Sequence, residues 1–151
     1  MIRLVEISEG GTAILPGGEI SDLVIDICLA YDRIYNERGF IRPWVGYLVV
    51  HDRAGGSAEV IGTCGFKAPP VNGRVEITYF TFAMFEGQGL ATHMAKELVS
   101  IATGADPAIS VYAHTLPHES SSTRILKKAG FTYEGVVDHP EDGYVWEWRL
   151  T

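Results

Sequence analysis

The segment Glu86-Gly87-Gln88-Gly89-Leu90-Ala91-Thr92 joins a β-rich run to a run with helical periodicity. At such a junction the first-turn N–H groups of the helix lack intrahelical acceptors, and the positive end of the helix dipole faces the turn. That environment suits an anion, a phosphate above all. Gly87 and Gly89 let the backbone approach a phosphate closely, and Ala91 keeps the next turn small. The turn is not a P-loop, which ends in Gly-Lys-Ser or Gly-Lys-Thr, nor a dinucleotide fingerprint, which needs glycine or alanine where Thr92 stands. A tight strand-to-helix connection without a ligand accounts for the same residues equally well.

The elements that must position this turn follow from periodicity. Residues 2–7 read as a strand, followed by a glycine-rich connection over residues 9–18. Ser21 can cap a helix whose apolar residues Leu23, Val24, Ile27, Cys28, Tyr31, Ile34 and Tyr35 recur at helical spacing until Gly39. Residues 46–52 and 60–67 read as a hairpin around the turn Arg53-Ala54-Gly55-Gly56, and residues 75–82 as a third strand after Asn72-Gly73. A helix after Gly89 carries Leu90, Met94, Leu98, Ile101 and Ala102 on one face. A strand over 109–114, a helix over 120–129 closed by Gly130, and strand-like runs over 131–137 and 144–149 complete the order. This order of β, α, three β, α, β, α and two β predicts an α/β (α+β) fold.

The 151 residues fit one domain, residues 1–151, that must hold both reactants. Twelve Lys and Arg stand against 19 Asp and Glu, a formal net charge of -7, and no basic stripe is visible, which disfavours nucleic-acid binding. An acidic surface favours a cationic partner such as an amine. Cys28 and Cys64 sit in apolar contexts without metal-ligand spacing, so two buried thiols are expected and no metal site. The start MIRLVEISEG has neither a basic nor an apolar leader region, and no apolar run reaches membrane-span length, so a cytoplasmic location without membrane association is expected.

The turn resembles the acetyl-CoA signature of the GNAT superfamily: Arg or Gln, two variable residues, Gly, one variable residue, then Gly or Ala. Glu86, Gly89 and Ala91 occupy the three defined positions, Glu86 in place of the usual Arg or Gln. That departure places a carboxylate near an anionic ligand and leaves the backbone amides to carry most of the binding. The run from His114 to Phe131 resembles the second segment of the RimJ/RimL-type branch, the ribosomal-protein N-terminal acetyltransferases and their relatives. Ser122, Leu126, Gly130 and Phe131 fall in register there, with Ser120 at the usual Asn position. An N-capped helix with a glycine stop explains that run if taken alone. Pro43-Trp44, Gly46-Tyr47-Leu48, Gly62, Gly65-Phe66-Lys67, Pro69-Pro70, Val75-Glu76-Ile77 and Tyr79 extend the resemblance over residues 43–150.

The resemblance implies a mixed, mostly antiparallel central sheet flanked by helices, and N-acetyl transfer from acetyl-CoA to a primary amine by direct attack. Acetyl-CoA would contact Glu86, Gly87, Gln88, Gly89, Leu90, Ala91 and Thr92, with its pantetheine arm against Phe82, Ala83 and Ser120. Glu76, on the strand entering the turn, becomes a candidate base, although a salt-bridged strand residue fits as well. By alternation Thr78, Phe80 and Phe82 share its face, and Ile77, Tyr79 and Thr81 point the other way. Ser122 matches a position implied to protonate the leaving thiolate, and His114 is a reserve base. Trp44, Tyr47, Phe66 and Tyr79 are candidate acceptor-pocket walls or ordinary core. A non-catalytic acyl-CoA-binding module and an enzyme with another acyl donor are the alternatives. The oligomeric state stays open, a homodimer included.

Overall fold

The computed structural model describes residues 2–15 and 20–150; part of the expected glycine-rich connection, residues 16–19, lies outside them. The described elements are β1 (Ile2–Glu6), α1 (Asp22–Arg38), β2 (Gly46–Asp52), β3 (Ala58–Phe66), β4 (Arg74–Thr81), a 3-10 turn (Ala83–Phe85), α2 (Leu90–Ala105), β5 (Ser110–Thr115), α3 (Ser121–Lys128), β6 (Phe131–His139) and β7 (Gly143–Leu150). The α/β alternation matches the order read from periodicity. All seven strands join one sheet in the order β1-β2-β3-β4-β5-β7-β6. Every neighbouring pair is antiparallel except β4 and β5, which run parallel.

Glycine gaps on the two faces of the sheet decide where the helices settle. A Cβ on Gly46 or Gly65 would overlap Tyr31, so these gaps in β2 and β3 seat the α1 tyrosine. Tyr35, one turn on, donates its hydroxyl to Ile7 O at 2.7 Å and accepts from Gly46 N at 2.8 Å, tying β1 to β2. A buried hydroxyl that is both donor and acceptor is fully satisfied, which a phenylalanine there would forfeit. On the opposite face a Cβ on Gly62 would collide with Met94 Cε, so α2 lies over β3 and β4. Burying Met94, Ala95, Leu98 and Ala102 against that face supplies the hydrophobic term that holds α2 there.

The helix ends follow their caps. Ser21 Oγ accepts from Val24 N, as the sequence predicts. Ser120 caps α3 reciprocally: its hydroxyl accepts from Thr123 N, and its own N–H donates to Thr123 Oγ1 at 3.0 Å. Cys28 and Cys64 are buried free thiols. No helix among the described residues is long and apolar enough to cross a membrane.

Candidate functional site

The parallel pair β4–β5 holds together over only Arg74–Glu76 and Ser110–Tyr112. Beyond Glu76 and Tyr112 the two strands part: β4 stays paired with β3 through Thr81, and β5 pairs with β7 through Thr115. Lys67 N donates to Glu76 O and Phe82 N to Ile61 O, both at 3.0 Å, so the even-numbered residues of this stretch bond towards β3. By alternation the N–H and C=O of Tyr79 and Thr81 point into the gap, where no strand meets them.

A cavity of about 480 Å³ fills this gap and runs to the start of α2. Tyr79, Phe80 and Thr81 form one wall, and Gly87, Gly89, Leu90, Ala91 and Thr92 form the end. Gly89 is the N-cap of α2 at φ +77°, and Gly87 has φ +79°, a left-handed pair from which α2 starts, with the first-turn residues Leu90, Ala91 and Thr92 lining the cavity. A Cβ at either glycine would meet nothing within 4 Å. The glycines therefore answer to backbone conformation and to open space above the turn, not to crowding within the protein. α3 closes the other side with Ser122, Arg124 and Lys128. Neither of these cations forms an ion pair among the described residues, and Glu86 is the one carboxylate bordering the cavity. Thr81 Oγ1 is buried there without a hydrogen-bond partner. Free backbone donors and acceptors, two unpaired cations and an orphan hydroxyl fit a long ligand that ends in phosphates.

Several expected residues stand elsewhere. Phe82 spends its N–H on Ile61 O and its C=O on Phe85 N, so Tyr79 and Thr81, not Phe82, offer backbone groups to the gap. Phe82, Ala83, Gln88 and Ser120 do not line the cavity, and Ser120 is occupied as the cap of α3. Trp44, Tyr47 and Phe66 are core: the Trp44 and Phe66 rings meet edge-on at 5.2 Å, and the Tyr47 hydroxyl donates to Pro43 O at 2.6 Å. Their faces are consumed in packing, so they border neither cavity described here. Tyr79 does line the first cavity, its hydroxyl 3.4 Å from Ser122 O. Burial pushes the Tyr79 phenol well above its ordinary value, so it remains a donor.

Glu76 and His114 belong to a charged chain across the other face of the sheet. Glu76 Oε2 lies 3.3 Å from Lys67 Nζ and 3.5 Å from His114 Nδ1, the latter at ion-pair range without hydrogen-bond alignment. His114 Nε2 meets Glu147 Oε1 at 3.0 Å, and Glu147 Oε2 meets Arg74 at 3.2 Å. Burial pushes the Glu76 carboxyl up, yet His114 and Lys67 outweigh it and hold it below the usual carboxylate range. The Glu76 carboxylate raises His114, against its burial, and Glu147 adds to the rise. Glu76 is thus ionised at neutral pH, and His114 favours its protonated form.

Glu147, Lys67 and Arg74 escaped the sequence reading. Glu147 alternates with the buried Trp148 and the half-buried Trp146 along β7, a pattern that places it on the opposite face but names no partner. Its pairing with His114 comes from strand register. Glu76 also borders a second cavity of about 220 Å³, together with Arg38, Lys67, Arg74 and Tyr112. Glu76 and Ser122 consequently border different cavities, one on each side of the place where β4 and β5 part.

Comparison with known proteins places this architecture. Residues 19–132 match the family described as the acetyltransferase (GNAT) domain. A search of curated proteins returns no match. Among solved structures, aminoglycoside acetyltransferase AAC(6')-Ib in complex with coenzyme A and kanamycin is similar at TM-score 0.57 and 23% identity, over 71% of this chain and 66% of that one. The self-immunity acetyltransferase MccE in complex with acetyl-CoA and AMP gives 0.63 and 18%, over 89% and 72%. The RimL ribosomal-protein α-N-acetyltransferase in complex with coenzyme A gives 0.61 and 17%, over 87% and 72%. This chain spans just under two thirds of the length of the aminoglycoside enzyme, and at these identities the likenesses establish the fold. The family match covers most of the chain and the sheet opens between β4 and β5 beside a glycine turn, so the chain belongs to the GNAT acetyltransferase family.

Proposed function

We propose that this chain is an acetyl-CoA-dependent N-acetyltransferase in which one domain binds both reactants and the acceptor is a primary amine attacking directly. The observation that carries the reading is the end of the β4–β5 ladder at Glu76 and Tyr112, which leaves backbone groups of Tyr79 and Thr81 unpaired in a cavity continuous with the Gly87–Gly89 turn. Solved neighbours whose complexes hold coenzyme A or acetyl-CoA support the choice of ligand.

Bound acetyl-CoA would supply an activated acyl thioester on a phosphate-terminated arm. The first-turn N–H groups of Leu90, Ala91 and Thr92 hold the pyrophosphate, and Arg124 and Lys128 add positive charge opposite Glu86. Tyr79 and Thr81 pair their free backbone groups with the amides of the arm, as an added strand would. Glu76, ionised and bordering the second cavity, takes the proton of the acceptor ammonium. His114 is held between two carboxylates that favour its charged form, which keeps its proton in place and makes it a positioning partner for Glu76. Ser122 has a hydroxyl at the first cavity to deliver a proton to the departing thiolate.

The RimL likeness supports an acceptor of the protein N-terminal type, and the aminoglycoside enzyme a small-molecule amine. One observation favours the alternative of a binding module without turnover: the Glu86 carboxylate stands where a cation would aid an anionic ligand. Acetyl-CoA should raise the melting temperature through preferential binding to the folded state, and thiol release should follow on adding a primary amine. Binding without thiol release across amines and acyl donors would establish the binding module instead.

A further inference from the structure

The second cavity is positively charged in a chain whose formal net charge is -7. Its charged lining is Arg38, Lys67 and Arg74 against the single carboxylate Glu76. Lys67 is engaged with Glu76, and Arg74 with Glu147 behind it, where the guanidinium also lies 4.2 Å over the Tyr112 ring. Arg38, in the last turn of α1, has no such partner. Among the described residues the Lys and Arg without an ion pair are Arg33, Arg38, Lys96, Arg124 and Lys128. Arg38 is the one of these that borders the second cavity, just as Arg124 and Lys128 border the first.

Position adds to charge. β4 contributes Arg74 and Glu76 from one face, and Lys67 meets Glu76 on that face. The seating of Tyr31 on Gly46 and Gly65 brings α1, and with it Arg38, over the same face. Glu76 and Tyr112, the last pair before β4 and β5 part, thus line this cavity together with the cations. With about 220 Å³ it takes a molecule of amino-acid size, since a water occupies roughly 30 Å³.

We infer that the acceptor is a small primary amine that also carries an anionic group, its amine directed to Glu76 and its carboxylate or phosphate held by Arg38, with Lys67 and Arg74 beside it. This rests on the acetyltransferase reading above and reverses the expectation, drawn from net charge, of a simply cationic acceptor. The overall charge describes the surface at large; a cavity lined by opposite charge sets what is bound inside it.

Matched acceptors test this: L-alanine against L-alaninamide, and O-phosphoethanolamine against ethanolamine, the two pairs distinguishing carboxylate from phosphate. Binding is measured by calorimetry with desulfo-coenzyme A present, and turnover by thiol release with acetyl-CoA. At least one anionic member should exceed its neutral partner by about 10- to 100-fold in affinity and in kcat/KM, the range of one charge-assisted contact. Alaninamide has the less basic amine, so its larger neutral fraction works against this result. Arg38→Gln should remove most of the preference, through KM for the anionic member, and Arg38→Glu should invert it. Equal use of acid and neutral partner, or a preference that survives Arg38→Gln, overturns the inference. An Arg38-dependent preference in binding with no turnover for any amine would uphold Arg38 as the anion-holding residue of this cavity and sink the acetyltransferase reading, so the two fail separately.

Discussion

The two cavities share no lining residue, and they are built from different materials. The first offers backbone groups beside the α3 side chains: those of Tyr79 and Thr81, and the start of α2 that follows two left-handed glycines. The second is made of side chains, with Arg38 from α1, Lys67 from the β3–β4 connection, Arg74 and Glu76 from β4, and Tyr112 from β5. A backbone site tolerates changes of side chain because its donors are present whatever the residue. This explains how Glu86 can stand at the glycine turn without removing the donors. A site of converging side chains has no such tolerance, and each substitution changes what it recognises.

The strongest way to break this comparison is at Glu76. Glu76→Gln keeps the shape and removes the base, and kcat/KM should fall about 10²- to 10⁴-fold while affinity for coenzyme A stays unchanged. The loss should be largest near neutral pH and should shrink at higher pH, where the amine deprotonates unaided. Because Glu76 is held below the usual carboxylate range, the parent stays ionised at this residue throughout that window. If the variant retains the parent rate and pH profile, Glu76 serves only the Lys67–His114 charge chain.

Gly89 tests the other end. Valine at φ +77° is strained whatever the space around it, by about 1–3 kcal/mol, and its branches would stand in the open volume above the turn. Gly89→Val should weaken coenzyme A binding by about 100-fold or more while leaving acceptor binding at the second cavity intact, both read by calorimetry. Unaltered coenzyme A affinity in the folded variant would remove the phosphate turn from the site.

The smallest effect sharpens the comparison by asking how much the side chains add to the backbone end. Arg124→Gln with Lys128→Gln should weaken coenzyme A binding by roughly 10-fold in total, and the difference from the parent should shrink at high salt, as expected for exposed charges. A loss greater than that from Gly89→Val would mean that the first cavity is also governed by side chains.

The sequence by itself determined the order of elements, the caps at Ser21 and Ser120, and the glycine turn before α2. Each of these is a local matter, written in the spacing of apolar residues, in a capping hydroxyl, or in a glycine that admits a left-handed backbone. Spacing also placed Glu76 on one face of β4 and Tyr79 on the other. It did not separate core from pocket: Trp44, Tyr47 and Phe66 have the aromatic character of a binding wall, and only packing shows their faces already covered. Nor could it tell which strand groups stay unpaired, because that depends on where β4 leaves β5; hence the groups of Tyr79 and Thr81 face the gap while those of Phe82 are bonded within the protein. The chain Lys67–Glu76–His114–Glu147–Arg74 joins residues up to 80 positions apart, the difference between Lys67 and Glu147. Such contacts follow from strand register and sheet order, non-local properties that no spacing along the sequence encodes.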